Sequence, residues 1–287
     1  MQGIKFFSKI IFGLLSVAVL NNSCNPKRIV YKSPPHYDFS KPQVFKLDLK
    51  IREISGLAWD NKKDEFLTHN DEKGIVFYLD KESKIIKREF AFSEKKGDYE
   101  DIVILNEVPY VLRSDGMITK IITDSSGKQY GLEAGKLGLS GTNDFETMYA
   151  DASRNALMVV CKNCDMDDKK SVSVFAFYPD SIGFVEKPVF SIDAAKVAEL
   201  SQRKTSKLQP SAAAIHPQLK KLFILSSASN QLVITDLDGN VESVYMLTKK
   251  LFPQSEGIAF KSNGDMYISN EGGVSAKGTI IRFAYIP

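Results

Sequence analysis

The chain has 287 residues, 43% of them hydrophobic and 25% charged, which is the composition of a globular protein with a sizeable core. The formal net charge is +3, and Lys5 and Lys9 near the N-terminus supply two of those charges. No basic field of the kind that holds nucleic acid is left, so nucleic acid is excluded as the expected partner.

Residues 1–23 read as an export signal, with Lys5 and Lys9 ahead of an apolar run of 11 residues from Ile10 to Leu20. That run is too short to span a bilayer unaided. It ends in Asn21, Asn22, Ser23 and Cys24, which is similar to a bacterial lipoprotein signal, although Asn21 stands where Leu is usual. In such signals the cysteine becomes the acylated N-terminus, and two or more acyl chains anchor a protein stably. Residues 24–42, with Pro26, Pro34 and Pro35 and no apolar periodicity, read as a tether. The expected location is the cell envelope, with Cys24 anchored in the outer membrane. Lys27 and Arg28 just after the anchor favour the periplasmic side.

A short phrase then recurs: Ile54–Trp59, Tyr99–Ile104, Phe145–Ala150, Pro210–Ile215 and Ser255–Phe260. Each carries a small or polar residue at its second position, at 55, 100, 146, 211 and 256, in steps of 45, 46, 65 and 45. A period in the forties built of short apolar runs and turns marks four-stranded propeller blades. The units lack the sustained 3.6-residue pattern that helical solenoids show.

Alternation and turn signals divide each unit into strands. The first unit has runs at 56–59, 65–68, 75–79 and 85–92, and the second at 102–105, 110–112, 117–122 and 130–139. The third has 148–150, 156–160, 172–178 and 184–191, and the fourth 212–215, 222–225, 232–235 and 241–247. The fifth has only three, at 258–260, 266–269 and 279–283. A spare alternating strand at 44–49 supplies the missing one, which predicts an all-β, five-bladed propeller over 43–287 closed by its N-terminal strand. The long third step contains 193–200, predicted as a short helix inserted between blades 3 and 4 with Asp193 as N-cap.

Cys161 and Cys164 are spaced Cys-x-x-Cys, with no second pair to complete a zinc site. They read as a local disulfide clasp or as two quiet thiols.

In a propeller, the residues that open each inner strand and those following the next strand out converge on one face near the axis. The openers are Ser55, Glu100, Glu146, Ser211 and Glu256. The loop positions include Asn70, Asp71, Arg113, Lys162, Asn270 and Glu271, which are the candidate ligand-binding face. Glu100, Glu146 and Glu256 directed at one axis repel unless they are protonated, paired with Arg113 or Lys162, or bound to a cation. Oxygen-rich surroundings favour Ca²⁺, for which these three are the candidate metal ligands. The alternative is that the acids bond backbone N–H groups and organise the blade starts.

The phrases at 53–60, 210–217, 252–260 and 266–273 resemble the SdiA-regulated, YjiK-like β-propeller family, and the resemblance covers roughly 43–287. It implies a five-bladed propeller, a Ca²⁺ site, an exported or membrane-attached location and distant kinship with NHL-repeat propellers. The family has no established reaction. The chain departs from the pattern where Ala212 replaces Gly and where Ser55 and Ser211 replace an acid.

Two functions follow from such a face. One is a monomeric, lipid-anchored binding module for a protein, peptide or glycan partner. The other is a calcium-dependent hydrolase of a lactone, ester or phosphoester. His69 is the histidine expected on the correct face, His216 reads as structural, and no nucleophile-elbow or zinc-protease motif appears. The binding module is the preferred reading.

Overall fold

The computed structural model describes residues 31–82, 84–168, 170–203, 207–273 and 276–287. The signal segment 1–23 and Cys24 lie outside the described residues.

The strands run in chain order as five antiparallel sheets. Strand β1 (Gln43–Lys46) comes first, followed by a 3-10 turn at Leu49–Ile51. Blade 1 is β2 (Ile54–Asp60), β3 (Glu65–Asn70), β4 (Lys73–Asp80) and β5 (Ile86–Lys96). Blade 2 is β6 (Tyr99–Leu105), β7 (Val108–Arg113), β8 (Met117–Thr123) and β9 (Gln129–Lys136). Blade 3 is β10 (Asn143–Asp151), β11 (Ala156–Cys164), β12 (Ser171–Tyr178) and an outer edge in two pieces, β13 (Gly183–Phe184) and β14 (Phe190–Asp193). Helix α1 (Ala194–Leu200) follows. Blade 4 is β15 (Ala212–Ile215), β16 (Leu222–Ser226), β17 (Gln231–Thr235) and β18 (Val241–Met246). Blade 5 is β19 (Ser255–Phe260), β20 (Met266–Asn270) and β21 (Thr279–Phe283), with β1 as its outermost strand.

The strand borrowed from the N-terminus closes the ring. Gln43 pairs with Arg282 and Lys46 with Thr279, antiparallel. The closure covers an edge that would otherwise be open to further strands. The sequence places five blades, the closing strand and the inserted helix where they are found. Asp193 caps that helix, accepting the Lys196 N–H at 2.9 Å.

The inner strands contact one another in the cycle β2, β6, β10, β15, β19 and back to β2. The apolar core lies in five slabs between neighbouring blades. Leu67 and Val76 of blade 1 meet Ile102 and Val111 of blade 2, and Phe66 of blade 1 meets Tyr267 of blade 5. Val197 of α1 is buried in the slab between blades 3 and 4.

Two glycines let the inner strands approach. A Cβ on Gly56 would lie 2.6 Å from Ile102 N of the next blade, and one on Gly257 would lie 2.8 Å from Leu57 N. Side chains stitch the same seams. Ser55 Oγ donates to Glu100 O at 2.9 Å, and Ser211 Oγ donates to Ser255 O at 2.8 Å. The buried Asp101 carboxylate accepts Met148 N–H of blade 3 at 2.9 Å.

The stretch read as a tether is packed over its second half. Tyr37 is buried, Phe39 packs on Phe252 and Phe283, and His36 stacks on Tyr285. His36 and Ile286 exchange two hydrogen bonds, each of 2.8 Å. The aromatic rings inside the proline-rich run account for this: their burial outweighs the freedom of a linker.

Candidate functional site: the channel mouth

Each of the carboxylates Glu100, Glu146 and Glu256 sits near the start of an inner strand, in blades 2, 3 and 5. At each start the ladder slips by a bulge, between Tyr99 and Asp101, Phe145 and Thr147, and Ser255 and Gly257. A bulge re-aims the side chain at the slip. In this way the three acids of three blades share one neighbourhood.

Their common neighbour is Lys162, on β11 of blade 3. Its ammonium is ion-paired with Glu146, and both side chains are largely buried. The same ammonium pulls the carboxyls of Glu100 and Glu256 toward ionisation, against stronger opposing effects. Burial pushes Glu100 up to about 9, and Asp98 adds through its charge and a shared hydrogen bond, with a further contribution from Asp144. Burial pushes Glu256 up to about 7, with the charge of Glu271 adding and hydrogen bonds from Ser227 and Gln254 opposing.

The backbone that carries Lys162 is braced from behind. Cys161 and Cys164 form a disulfide, so Lys162 and Asn163 are the two residues enclosed by its ring. Asn163 donates to Asp144 Oδ2 at 3.1 Å and accepts from Gln209 at 3.3 Å.

A cavity of about 310 Å³ opens beside this cluster, between blades 3, 4 and 5. Its charged wall is Glu146, Lys162, Lys249 and Glu256, and its polar wall includes Gln209, Asn230 and Gln254. The opposite end of the channel differs. There a cavity of about 250 Å³ is lined mainly by apolar inner-strand residues such as Leu57, Ile102 and Ile258.

The remaining sequence candidates divide. Asp71 and Glu271 lie together with Glu53 at the seam of blades 5 and 1. Burial and mutual repulsion raise the carboxyl pKa of Asp71 and of Glu271. Arg113 is committed to Asp115 through two hydrogen bonds of 2.8 and 2.9 Å, which hold the Asp115 carboxyl well below the usual carboxylate range. Asn70 and Asn270 are buried fasteners, not a presented surface. Asn70 donates to Lys50 O at 3.2 Å, and Asn270 accepts from Ser255 Oγ at 2.9 Å. His69 is fully buried, and its pKa is pushed down to about 4 by that burial.

Asp98, Asp144, Gln209, Lys249 and Gln254 belong to the mouth and were not singled out from sequence. Asp98 and Asp144 each lie two residues before an opener, which is the signal that marks them.

As placed, these residues do not fit Ca²⁺. That ion takes about six to eight oxygens at roughly 2.3–2.6 Å. Among the described residues, the one set of three acidic, thiol or imidazole groups with ligand atoms within 4.8 Å of one another is Cys161, Cys164 and Asp167. Two of those three are spent in the disulfide.

A sequence profile of the SdiA-regulated family matches residues 44–274. The chain belongs to the SdiA-regulated family. No curated protein matches its sequence. Among solved structures, it is similar to a Myxococcus xanthus glutaminyl cyclase, with a TM-score of 0.57 and 12% identity over 85% of this chain and 96% of that one. It is similar to XC5397, a gluconolactonase from Xanthomonas campestris, with a TM-score of 0.52 and 12% identity over 91% and 96%. It is also similar to a luciferin-regenerating enzyme, with a TM-score of 0.51 and 12% identity over 85% and 95%. At such identities the likeness is one of fold.

Proposed function

We propose that this SdiA-regulated family propeller is a binding module of the cell envelope, anchored through Cys24 to the outer membrane and facing the periplasm. It takes a polar peptide or glycan partner at the channel mouth. The observation that carries this reading is the cavity of about 310 Å³ beside Lys162, walled by two carboxylates, two ammonium groups and three side-chain amides. Such a wall matches charged and hydroxyl groups of a ligand, not an apolar one. Lys249 is exposed, and no hydrogen bond or ion pair within the protein engages its side chain among the described residues. It is therefore free to meet an anionic group of a ligand. Serine hydroxyls at the mouth are already occupied: Ser211 donates to Ser255 O at 2.8 Å and accepts Ser227 N–H at 3.1 Å.

The test is a panel of short peptides and oligosaccharides scored by the rise in melting temperature of the full chain. A ligand that stabilises wild type but neither Lys249→Ala nor Gln254→Ala supports the mouth as the site. A rise kept by both variants moves the ligand elsewhere and overturns the reading.

One observation favours a second reading, hydrolysis of a lactone, ester or phosphoester. Glu100 at about 9 and Glu256 at about 7 would give a protonated carboxyl and a half-ionised one at neutral pH. Turnover of a lactone, aryl-ester or phosphoester panel, lost in Glu256→Gln, would replace the binding reading with this one.

A further inference from the structure

The cation expected at the mouth is already part of the chain. We propose that Lys162 is a built-in counter-ion, standing where a divalent metal would otherwise sit among Glu100, Glu146 and Glu256. The inference concerns the mouth itself and holds whether or not a ligand is found there.

Three observations carry it. The Lys162 ammonium forms an ion pair with Glu146 of its own blade. Lys162 lines one cavity with Glu146 and Glu256 of blade 5, and its charge also acts on Glu100 of blade 2, so one cation serves acids from three sheets. Its side chain is 25% exposed and that of Glu146 is 16%, so solvent screens the pair poorly.

The second observation is the anchoring of the lysine. The disulfide between Cys161 and Cys164 brackets it, and Asn163 is tied on one side to Asp144 and on the other to Gln209. The backbone that carries Lys162 is fixed in this way, its ammonium is held by the ion pair with Glu146, and an ammonium and a divalent ion cannot share the same oxygens without strong repulsion.

The third is the spacing of the acids. The three carboxyls do not bring three oxygens within 4.8 Å of one another, the range that a common ion would need. One of them, Glu146, pairs with the ammonium and the other two feel its charge from farther off, an arrangement looser than a coordination shell. Glu100 keeps its proton at neutral pH and Glu256 is half-ionised, so the one ammonium offsets most of the charge that Glu146 and Glu256 carry. Removing the lysine leaves those acids with no fixed cation and opens the space its ammonium filled. With the ammonium gone the carboxyls can close on a hard divalent ion from solution, which their spacing around the lysine does not allow, and give up their protons to it.

The experiment titrates the full chain with CaCl2 at pH 8, read by melting temperature and by calorimetric binding, for wild type, Lys162→Arg and Lys162→Gln. Wild type and Lys162→Arg should show no saturable calcium response. Lys162→Gln should melt lower without calcium and recover with it, with a saturable heat of binding. A saturable calcium response in wild type that Glu146→Gln abolishes would overturn the proposal, because the metal would then coexist with the lysine. A folded Lys162→Gln indifferent to calcium would overturn it as well, because the lysine would then not be standing in for a metal. Should Lys162→Gln fail to fold, the double variant Lys162→Met with Glu256→Gln, which carries one acid fewer, takes its place. A calcium response there supports the proposal, and its absence in the folded protein counts against it.

Discussion

The Tyr37 hydroxyl lies 2.7 Å from His216 Nε2 and 2.6 Å from Gly264 O, joining the N-terminal segment to blades 4 and 5. The direction of these bonds is fixed by the other ring nitrogen. His216 Nδ1 accepts the N–H groups of Gln218 and Leu219, both at 3.1 Å, so Nε2 carries the hydrogen and donates to Tyr37. Tyr37 in turn donates to Gly264 O. Tyr37→Phe leaves a buried N–H and a carbonyl unpaired, with an expected cost of about 1–3 kcal/mol. Urea melts of the two proteins measure it.

The same relay requires a neutral imidazole. Burial lowers the His216 pKa from 6.5 to about 4, with the charges of His36 and Lys220 assisting, and burial does the same to His69. Both folded-state values lie below the unfolded value, so the unfolded chain takes up protons first as pH falls. The stability these two residues contribute is complete above pH 6.5 and is lost between 6.5 and about 4. His216→Gln should flatten the fall of melting temperature over that window. An unchanged slope would show that His216 does not titrate with unfolding.

The glycines at the seams set a third expectation. A Cβ on Gly56 meets the backbone of Ile102 at 2.6 Å and the Asp101 carboxylate at 2.8 Å, and backbone cannot move aside as a side-chain tip can. Gly56→Ala should therefore cost about 3 kcal/mol or more, the range of a strained core substitution. Gly138, whose Cβ would meet nothing within 4 Å, is the matched control, and Gly138→Ala should leave the denaturation midpoint nearly unchanged.

Much of this architecture is legible in the residues because each blade repeats one local pattern. Ser55, Glu100, Glu146, Ser211 and Glu256 mark the starts of the inner strands, and a strand missing at the C-terminus with a spare one at the N-terminus implies the closure. What is not legible depends on contacts remote in sequence or on local slips of register. Tyr37 and His216 are 179 residues apart, so nothing beside Tyr37 announces its partner. Asn70 and Asn270 end strands whose pairing partners carry bulges, between Ile54 and Leu57 and between Ser255 and Gly257. Counting alternation across a bulge misjudges which face a side chain takes. The outer edge of blade 3 reads as one strand but divides at 185–189, where Pro188 has no N–H to give the ladder. The three acids are visible in the sequence. That the charge of one lysine acts on all of them is not, because its position depends on the bulge at Phe145 and on the ring closed by Cys161 and Cys164.

That ring gives a fourth expectation. It closes only a four-residue segment, Cys161 to Cys164, so its effect on the unfolded chain is small, about 2 kcal/mol in the loop-entropy account. It also fixes the backbone that carries Lys162 beside Glu146. The variant with both cysteines changed to serine should keep the fold yet show faster acylation of Lys162 by an amine-reactive reagent, relative to the other lysines, by peptide mass spectrometry. Equal rates with and without the disulfide would reduce the clasp to a stability element.

The carboxyls at the mouth make the last expectation, and its sign is opposite to that of the histidines. Glu256 and Glu100 rise from an ordinary 4.5 to about 7 and about 9, so the folded protein holds their protons where the unfolded chain has released them. Their favourable contribution to stability is complete below pH 4.5 and declines as pH rises through 7 for Glu256 and through 9 for Glu100. Glu100→Gln removes the group that must ionise in a buried setting, so its melting temperature relative to wild type should increase from pH 5 to pH 9. Lys162→Gln should move both carboxyls further up, since its ammonium is what pulls them down. A carboxyl carbon NMR titration should find one glutamate titrating near 7 that disappears in Glu256→Gln. If every glutamate titrates below 5.5, the mouth is open to solvent and its acids are ordinary.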